Sequence, residues 1–367
     1  MARALSSEGA LGTYYSGYPA SKLRGVKQGM SIRSFSGRTV LVYGARRLLP
    51  ERLRPKDRHL FRWQDWAFDR KVAAALEPCD FLHGLPGQCR DSFAKAREIG
   101  IKTVLSHATG PVAEMEKLVA PEYERVGLTF STETQYDADY YRREEEEYAL
   151  TDYHWAASTV VADQLRATGI PEKKIWVVPY GVDRSVFAPP RDRSGNTQRK
   201  PYRVVFAGQL SLRKGIRHLL DALTLLGDDG IEVEFYGHQM AEVEVDLSSY
   251  SGASPLRFHG PVSQLQLAEV LGQADLLVLP SIEEGYGLVV IQALACGLPC
   301  LVSDQVGSKD AIQIGLNGLV AASGDAQAWA EAIREAQATD WNHQSIVASA
   351  PDWDKAAAVL LERSSKV

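Results

Sequence analysis

The 367-residue chain is 45% hydrophobic and 24% charged, with a formal net charge of −5. That balance belongs to a globular protein long enough for two domains, each with its own core, and no uninterrupted apolar run reaches the length of a membrane-spanning helix. Cys79, Cys89, Cys296 and Cys300 show no metal-ligand spacing and read as reduced thiols, and Met1–Tyr15 contains no signal-peptide core, so a cytoplasmic protein is expected.

The charge is uneven. Residues 1–100 hold 18 Lys and Arg against 9 Asp and Glu, whereas the remainder holds 23 against 37. The basic excess peaks between Arg46 and Arg62, where Leu, Phe and Trp are interspersed. Such a stretch suits an anionic membrane surface or an anionic acceptor, and it equally suits a solvated basic face.

In chain order, Arg38–Gly44, Cys79–Gly84, Ile101–His107, Tyr153–Ser158 and Lys174–Pro179 read as strands. Helical patterns cover Asp65–Leu76, Asp91–Ile99, Val112–Val126, Tyr141–Leu150 and Val160–Thr168. The acidic run Arg142–Asp152 is expected to be an exposed helix face. Ala188–Pro201 is rich in Pro, Gly, Ser and charge and reads as a linker. Beyond it, Tyr202–Gly208, Ile231–Gly237, Leu256–Gly260, Leu276–Ser281, Pro299–Asp304 and Asn317–Ala322 are short β-rich runs alternating with helical patterns at Ile216–Leu226, Ser263–Gln273, Gly287–Cys296 and Ala326–Gln337. This alternation implies a doubly wound α/β fold with parallel sheets covered on both faces. The expected organisation is an N-terminal Rossmann-like domain (1–187), a linker (188–201), a C-terminal Rossmann-like domain (202–340) and a helical tail (341–367) that packs back on the first domain. Ligands of such domains bind beyond the carboxyl ends of the strands, in the cleft.

Two loops carry the chemistry. After the strand ending at Pro280 come Glu284, Gly285 and Gly287, then a helix whose free N–H groups and positive dipole end make an anion site. A carboxylate there serves hydroxyl groups rather than phosphate, so the pair suggests a sugar attached to a phosphate; a Glu that merely favours the helix dipole is the plainer alternative. After Gly208, Arg213 and Lys214 stand where a strand feeds a helix, a placement that suits a diphosphate whose charge grows as it leaves.

The segments Val177–Phe187, Phe206–Gly215, Pro280–Pro299 and Asn317–Asp325, in that order and spacing, resemble the retaining GT-B glycosyltransferases of family 4. The resemblance implies two Rossmann-like domains facing a central cleft, and transfer of a sugar from a nucleotide-diphosphate donor, a UDP- or GDP-sugar, to a sugar or lipid-linked acceptor hydroxyl with retention. It implies no metal and no other cofactor; no nucleic-acid partner is expected, and the basic stretch Arg46–Arg62 points to a lipid-linked or membrane-surface acceptor at the inner face of the membrane, consistent with polysaccharide or glycolipid assembly. Carried over by position, Glu284 contacts the donor sugar, Gln292 the ribose, Lys214 the diphosphate, and Gly285, Tyr286, Gly287 and Leu288 form the turn that approaches the phosphates. Gly208 matches the tight-turn glycine, and His107 matches a strand-end histidine that meets the donor sugar.

Three departures from the family pattern matter. Gln292 replaces an acid, so its ribose bond lacks charge. Gln209 stands where relatives carry a diphosphate-binding Arg, for which Arg213 is expected to compensate. The first strand and its Gly-rich loop are not evident, so either the true start lies upstream or the N-terminal sheet has lost a strand and a loop. Together these leave a second reading open: a degenerate GT-B protein that binds a nucleotide sugar or a partner glycosyltransferase without turnover.

Overall fold

Apolar strands without polar alternation need cover on both faces, and the computed structural model shows how the chain provides it over residues 1–23, 30–48, 57–130, 137–190, 201–227 and 229–367. The strands are β1 Thr13–Ser16, β2 Ser31–Ser34, β3 Phe81–Gly84, β4 Lys102–His107, β5 Tyr153–Ala156, β6 Ile175–Val177, β7 Tyr202–Ala207, β8 Ile231–Tyr236, β9 Leu256–Phe258, β10 Leu276–Leu279, β11 Cys300–Ser303 and β12 Gly318–Ala321.

The C-terminal sheet runs β9-β8-β7-β10-β11-β12, all parallel. From β7 the chain winds outward through β8 and β9, then returns to β10 and winds the other way. The loops leaving β7 and β10 therefore diverge, and the gap between them is the topological switch point where α/β sheets bind ligands. Val204, Val205, Phe206, Leu276, Leu277 and Val278 in these two strands are fully buried, as both-face cover requires. The helix Leu288–Ala295 that follows β10 is apolar nearly all round. It is accordingly held between the helices Gln264–Gln273 and His343–Ser349 rather than lying on the surface.

The N-terminal sheet has four parallel strands in chain order, β3-β4-β5-β6, while β1 and β2 pair only with each other. The helix Trp353–Ser364 at the C-terminus lies on this sheet, with Ala356 and Leu360 against Val104, Trp155 and Trp176.

Two expectations fail here. Arg38–Gly44 is part of a helix, Gly37–Leu48, not a strand. Thr39 and Val42, three apart, are buried while Val40, Leu41 and Tyr43 face outward, and the Thr39 hydroxyl donates to the Gly17 carbonyl (2.5 Å). With no neighbouring strand to share its backbone hydrogen bonds, the segment satisfies them internally despite its β-branched residues.

The acidic run is not a solvated face either. Arg143, Glu144 and Glu147 of the helix Ala138–Ala149 are buried. The Glu147 carboxylate accepts from the amides of Gly87 (2.6 Å), Cys89 (3.0 Å) and Arg90 (3.2 Å). Asp69 of the helix Asp57–Ala74 accepts from those of Asp91 (2.7 Å) and Ser92 (2.9 Å). Two carboxylates thus cap the N-terminus of one helix, Arg90–Glu98. Arg143 lies between them, ion-paired to Asp69 and 3.3 Å from Glu147. Backbone donors and one shared cation offset part of the cost of burying these charges, and burial still raises both carboxyls.

Candidate active site

The two loops at the switch point are joined by backbone bonds before any side chain is considered. Ile282 N donates to Arg213 O (2.9 Å), Glu284 N to Gln305 O (3.2 Å) and Gly307 N to Glu284 O (2.9 Å). The loops after β7, β10 and β11 therefore form one connected rim.

Lys214 ends the short 3-10 turn Leu212–Lys214. It is 9% exposed and ion-paired with Glu284 across the gap. Burial pushes its ammonium down to about 7, the Arg213 guanidinium adds to this, and Glu283 pulls it back. Arg213 is itself held: Nη1 donates to the Glu283 carboxylate (3.0 Å) and to the Glu283 carbonyl (3.2 Å). The rim thus carries two cations and two carboxylates in alternation. An anion entering here competes with Glu284 for Lys214, and the released Glu284 carboxylate is then available to hydroxyl groups.

The turn Gly285–Leu288 sits in the seam between the two sheets. A Cβ on Gly285 would lie 2.4 Å from the Ala108 carbonyl and 2.5 Å from Thr109 Cα, so only glycine allows the β4 loop to pack there. Gly287 takes φ 79° and opens the helix Leu288–Ala295 without a side-chain cap, and the Val290 amide donates to the Gly287 carbonyl (3.0 Å). Tyr286 is buried, and its hydroxyl donates to the Tyr180 carbonyl (2.8 Å) across the seam. Leu288 is exposed, and Gln292 is half-buried one turn on, with no side-chain hydrogen bond among the described residues. Gly208 ends β7, donating to the Tyr236 carbonyl (2.9 Å), and the exposed Gln209 amide donates to the Met240 sulfur (2.9 Å).

The seam is closed at several further points. Ser158 Oγ donates to the Gly285 carbonyl (2.7 Å), and Asp310 accepts from the Thr159 amide and hydroxyl (2.7 and 2.6 Å). Glu242 accepts from the Tyr123 hydroxyl (2.6 Å) and the Leu212 amide (3.0 Å), so a contact from the N-terminal half reaches the loop that carries Lys214.

His107 is placed differently from the expectation. It is fully buried beneath the β4 loop, its Nε2 lies 3.0 Å from His154 Nδ1, and Tyr148 meets both rings edge-on. Burial, with His154 adding to it, holds the His107 imidazole well below its ordinary value, so it is neutral. The residues of its loop that reach the seam are Ala108 and Thr109. Sequence reasoning also passed over Glu283, whose signal was its place in an acidic pair between apolar residues, and Glu242, which carries no local signal. Residues 49–56 of the basic stretch Arg46–Arg62, and 191–200 of the linker, lie outside the described residues. Among the described residues no helix is long and apolar enough to cross a membrane.

Comparison with known proteins agrees with this geometry. Residues 190–352 match the family described as glycosyl transferases group 1. The chain is 30% identical over 242 residues to the D-inositol 3-phosphate glycosyltransferase of Xylanimonas cellulosilytica, covering 60% of this chain and 58% of that protein. It is 27% identical over 177 residues to the amylovoran biosynthesis glycosyltransferase AmsK of Erwinia amylovora, covering 46% and 43%. The chain thus spans little more than half of the first of these relatives and less than half of the second. Among solved structures, a glycosyltransferase from Rickettsia africae superposes with a TM-score of 0.64 at 13% identity, over 100% of this chain and 92% of that one. Anabaena HepE in complex with UDP superposes with a TM-score of 0.60 at 16% identity, over 82% of each chain. These likenesses establish the GT-B fold of two Rossmann-like units. Residues 190–352, a little under half of the chain, are therefore similar to the group 1 glycosyltransferases.

Proposed function

We propose that this protein is a retaining glycosyltransferase that moves a sugar from a nucleotide-diphosphate donor to an acceptor hydroxyl. The observation that carries the reading is the meeting of Lys214, Arg213 and Glu284 with the N-terminus of the helix Leu288–Ala295 at one switch point. In this reading Lys214 and the helix amides hold the diphosphate and stabilise the charge that gathers on it as the glycosidic bond breaks. Glu284, released from Lys214, accepts from hydroxyls of the donor sugar, and Gln292 bonds the ribose. The closed seam excludes water so that the acceptor hydroxyl, not solvent, takes the sugar.

Residues 202–340 serve as the donor unit and 1–187 as the acceptor unit in this account. The complex of HepE with UDP-glucose supports a UDP-sugar among the donors to be tried, and the printed role of AmsK in amylovoran biosynthesis supports polysaccharide assembly. A lipid-linked acceptor at an anionic membrane is supported by the exposed Val40, Leu41, Tyr43 and Trp63 beside the basic stretch. Co-sedimentation with anionic but not neutral vesicles is the expected result there; equal partitioning onto both removes the membrane contact.

The test of function is a panel of UDP-, GDP- and ADP-sugars, followed for slow donor hydrolysis or transfer beside thermal shifts with the free nucleotides. One donor giving both a shift and turnover supports the reading. Binding without turnover on any donor, with acceptors supplied, favours the non-catalytic alternative that Gln292 and Gln209 leave open.

A further inference from the structure

We propose that Glu283 is a positioning residue of the diphosphate site, anchoring Arg213 across the switch point so that its guanidinium is presented to the phosphates. The inference rests on the donor reading above and adds to it a residue that does not itself touch the donor.

Glu283 is 1% exposed and sits on the β10 loop directly opposite Arg213 on the β7 loop. Three bonds tie the two residues together. Arg213 Nη1 donates to both the carboxylate and the carbonyl of Glu283, and Ile282 N returns a bond to the Arg213 carbonyl. Among the described residues the side-chain bonds of Arg213 run through Nη1, so Nε and Nη2 are left for a ligand. A guanidinium is planar, and fixing one edge fixes where the other edge points.

The burial of Glu283 is also incompletely compensated. Among the described residues its Oε1 has no hydrogen-bond partner, a desolvation cost that a ligand-facing role for Arg213 accounts for. Its charge has a second consequence. Lys214 is surrounded by Arg213, Glu283 and Glu284, with Glu242 and Tyr123 behind Leu212. Glu283 acts against burial and Arg213 in keeping the Lys214 ammonium charged.

The experiment is calorimetric titration of the full chain with UDP, GDP and ADP, and with the monophosphate matching whichever binds tightest. It is run on the wild type, Glu283→Gln, Arg213→Met and the double variant. Glu283→Gln is expected to weaken the diphosphate about tenfold and the monophosphate by no more than about twofold. Arg213→Met is expected to do the same, and the double variant to lose nothing further. The pH above which diphosphate affinity declines is expected to fall by about one unit in Glu283→Gln. Unchanged diphosphate affinity in a folded Glu283→Gln protein, or losses that add in the double variant, overturns the proposal. So does a loss of turnover with affinity intact, which would put Glu283 on the sugar instead.

If Glu283→Gln alone does not fold, Arg213→Met against the double variant decides, because the double leaves no buried charge unpaired. Equal affinities support the anchor, and a further loss in the double refutes it. If the wild type binds none of the three diphosphates, the donor reading itself fails; if it binds and the variants are silent, only the role of Glu283 fails.

Discussion

Lys214 gives the site a measurable proton linkage. Its ammonium is held down to about 7 in the free protein by burial and by Arg213. A pyrophosphate replacing Glu284 beside it would favour the charged form, so binding draws a proton from solution as pH rises above 7. The sign follows directly. Below pH 7 the lysine is already charged and affinity is nearly flat. Above pH 7 affinity falls about tenfold per unit until the pKa of the complex is reached. Between pH 7 and pH 9, where the phosphates are already ionised, the protonated fraction drops from about one half to about one hundredth. That corresponds to roughly one to two orders of magnitude in Kd, or about 2 kcal/mol. Titration calorimetry in two buffers of different ionisation enthalpy reads the linkage: uptake of about half a proton at pH 7 and nearly one at pH 9 is expected. Lys214→Met should bind weakly, with no slope and no uptake. A Kd independent of pH in the wild type, or the same slope in Lys214→Met, would refute the reasoning.

Further outcomes are expected. Gln292→Glu should tighten nucleotide binding by about 1 kcal/mol through a charge-assisted ribose bond, and the gain should vanish with a 2′,3′-dideoxynucleotide; a gain that persists removes the ribose assignment. Arg143→Ala leaves Asp69 and Glu147 buried without their shared cation and should cost roughly 3–5 kcal/mol in urea unfolding, whereas Arg90→Ala, on an exposed pair with Glu146, should cost less than about 1 kcal/mol. Burial raises the Glu144 carboxyl to about 7, so the folded state holds a proton that the unfolded state has released, and stability declines as pH climbs from about 4.5 to about 7. Glu144→Gln should therefore stabilise the protein by about 2–3 kcal/mol at pH 8 and by little at pH 4; equal effects at both pH values would contradict the burial argument.

The C-terminal unit was legible because its central strands are mostly apolar and punctuated by glycine, which points to a covered parallel sheet. The placement of Glu284 and Lys214 at the switch point could be read for the same reason: each residue follows a strand whose end is unmistakable. The N-terminal unit was harder. Arg38–Gly44 has the composition of a strand, and only the lack of a neighbouring strand and the packing of Thr39 on Gly17 make it a helix. The acid at 147 looked solvated because its partners, the amides of Gly87, Cys89 and Arg90, are more than fifty residues away. One local signal was present: Arg143 and Glu147 are four apart, on one helical stripe, and an apolar surface was needed there to cover the sheet. His107 shows the limit of strand-end reasoning. Alternation tells which side of the sheet a residue takes, but His154, forty-seven positions later, supplies the partner that keeps its ring below the cleft floor. Glu283 and Glu284 are adjacent, and only their opposite environments, one sealed against Arg213 and one facing Lys214, separate their roles.

The most direct test of the whole account is a crystal structure of the protein with whichever of UDP-, GDP- or ADP-glucose binds tightest. The pyrophosphate should lie between Lys214 Nζ and the first amides of the helix Leu288–Ala295, with Glu284 bonded to hexose hydroxyls and freed from Lys214. A nucleotide sugar seated away from the gap between β7 and β10, with the Lys214–Glu284 pair intact, would contradict it.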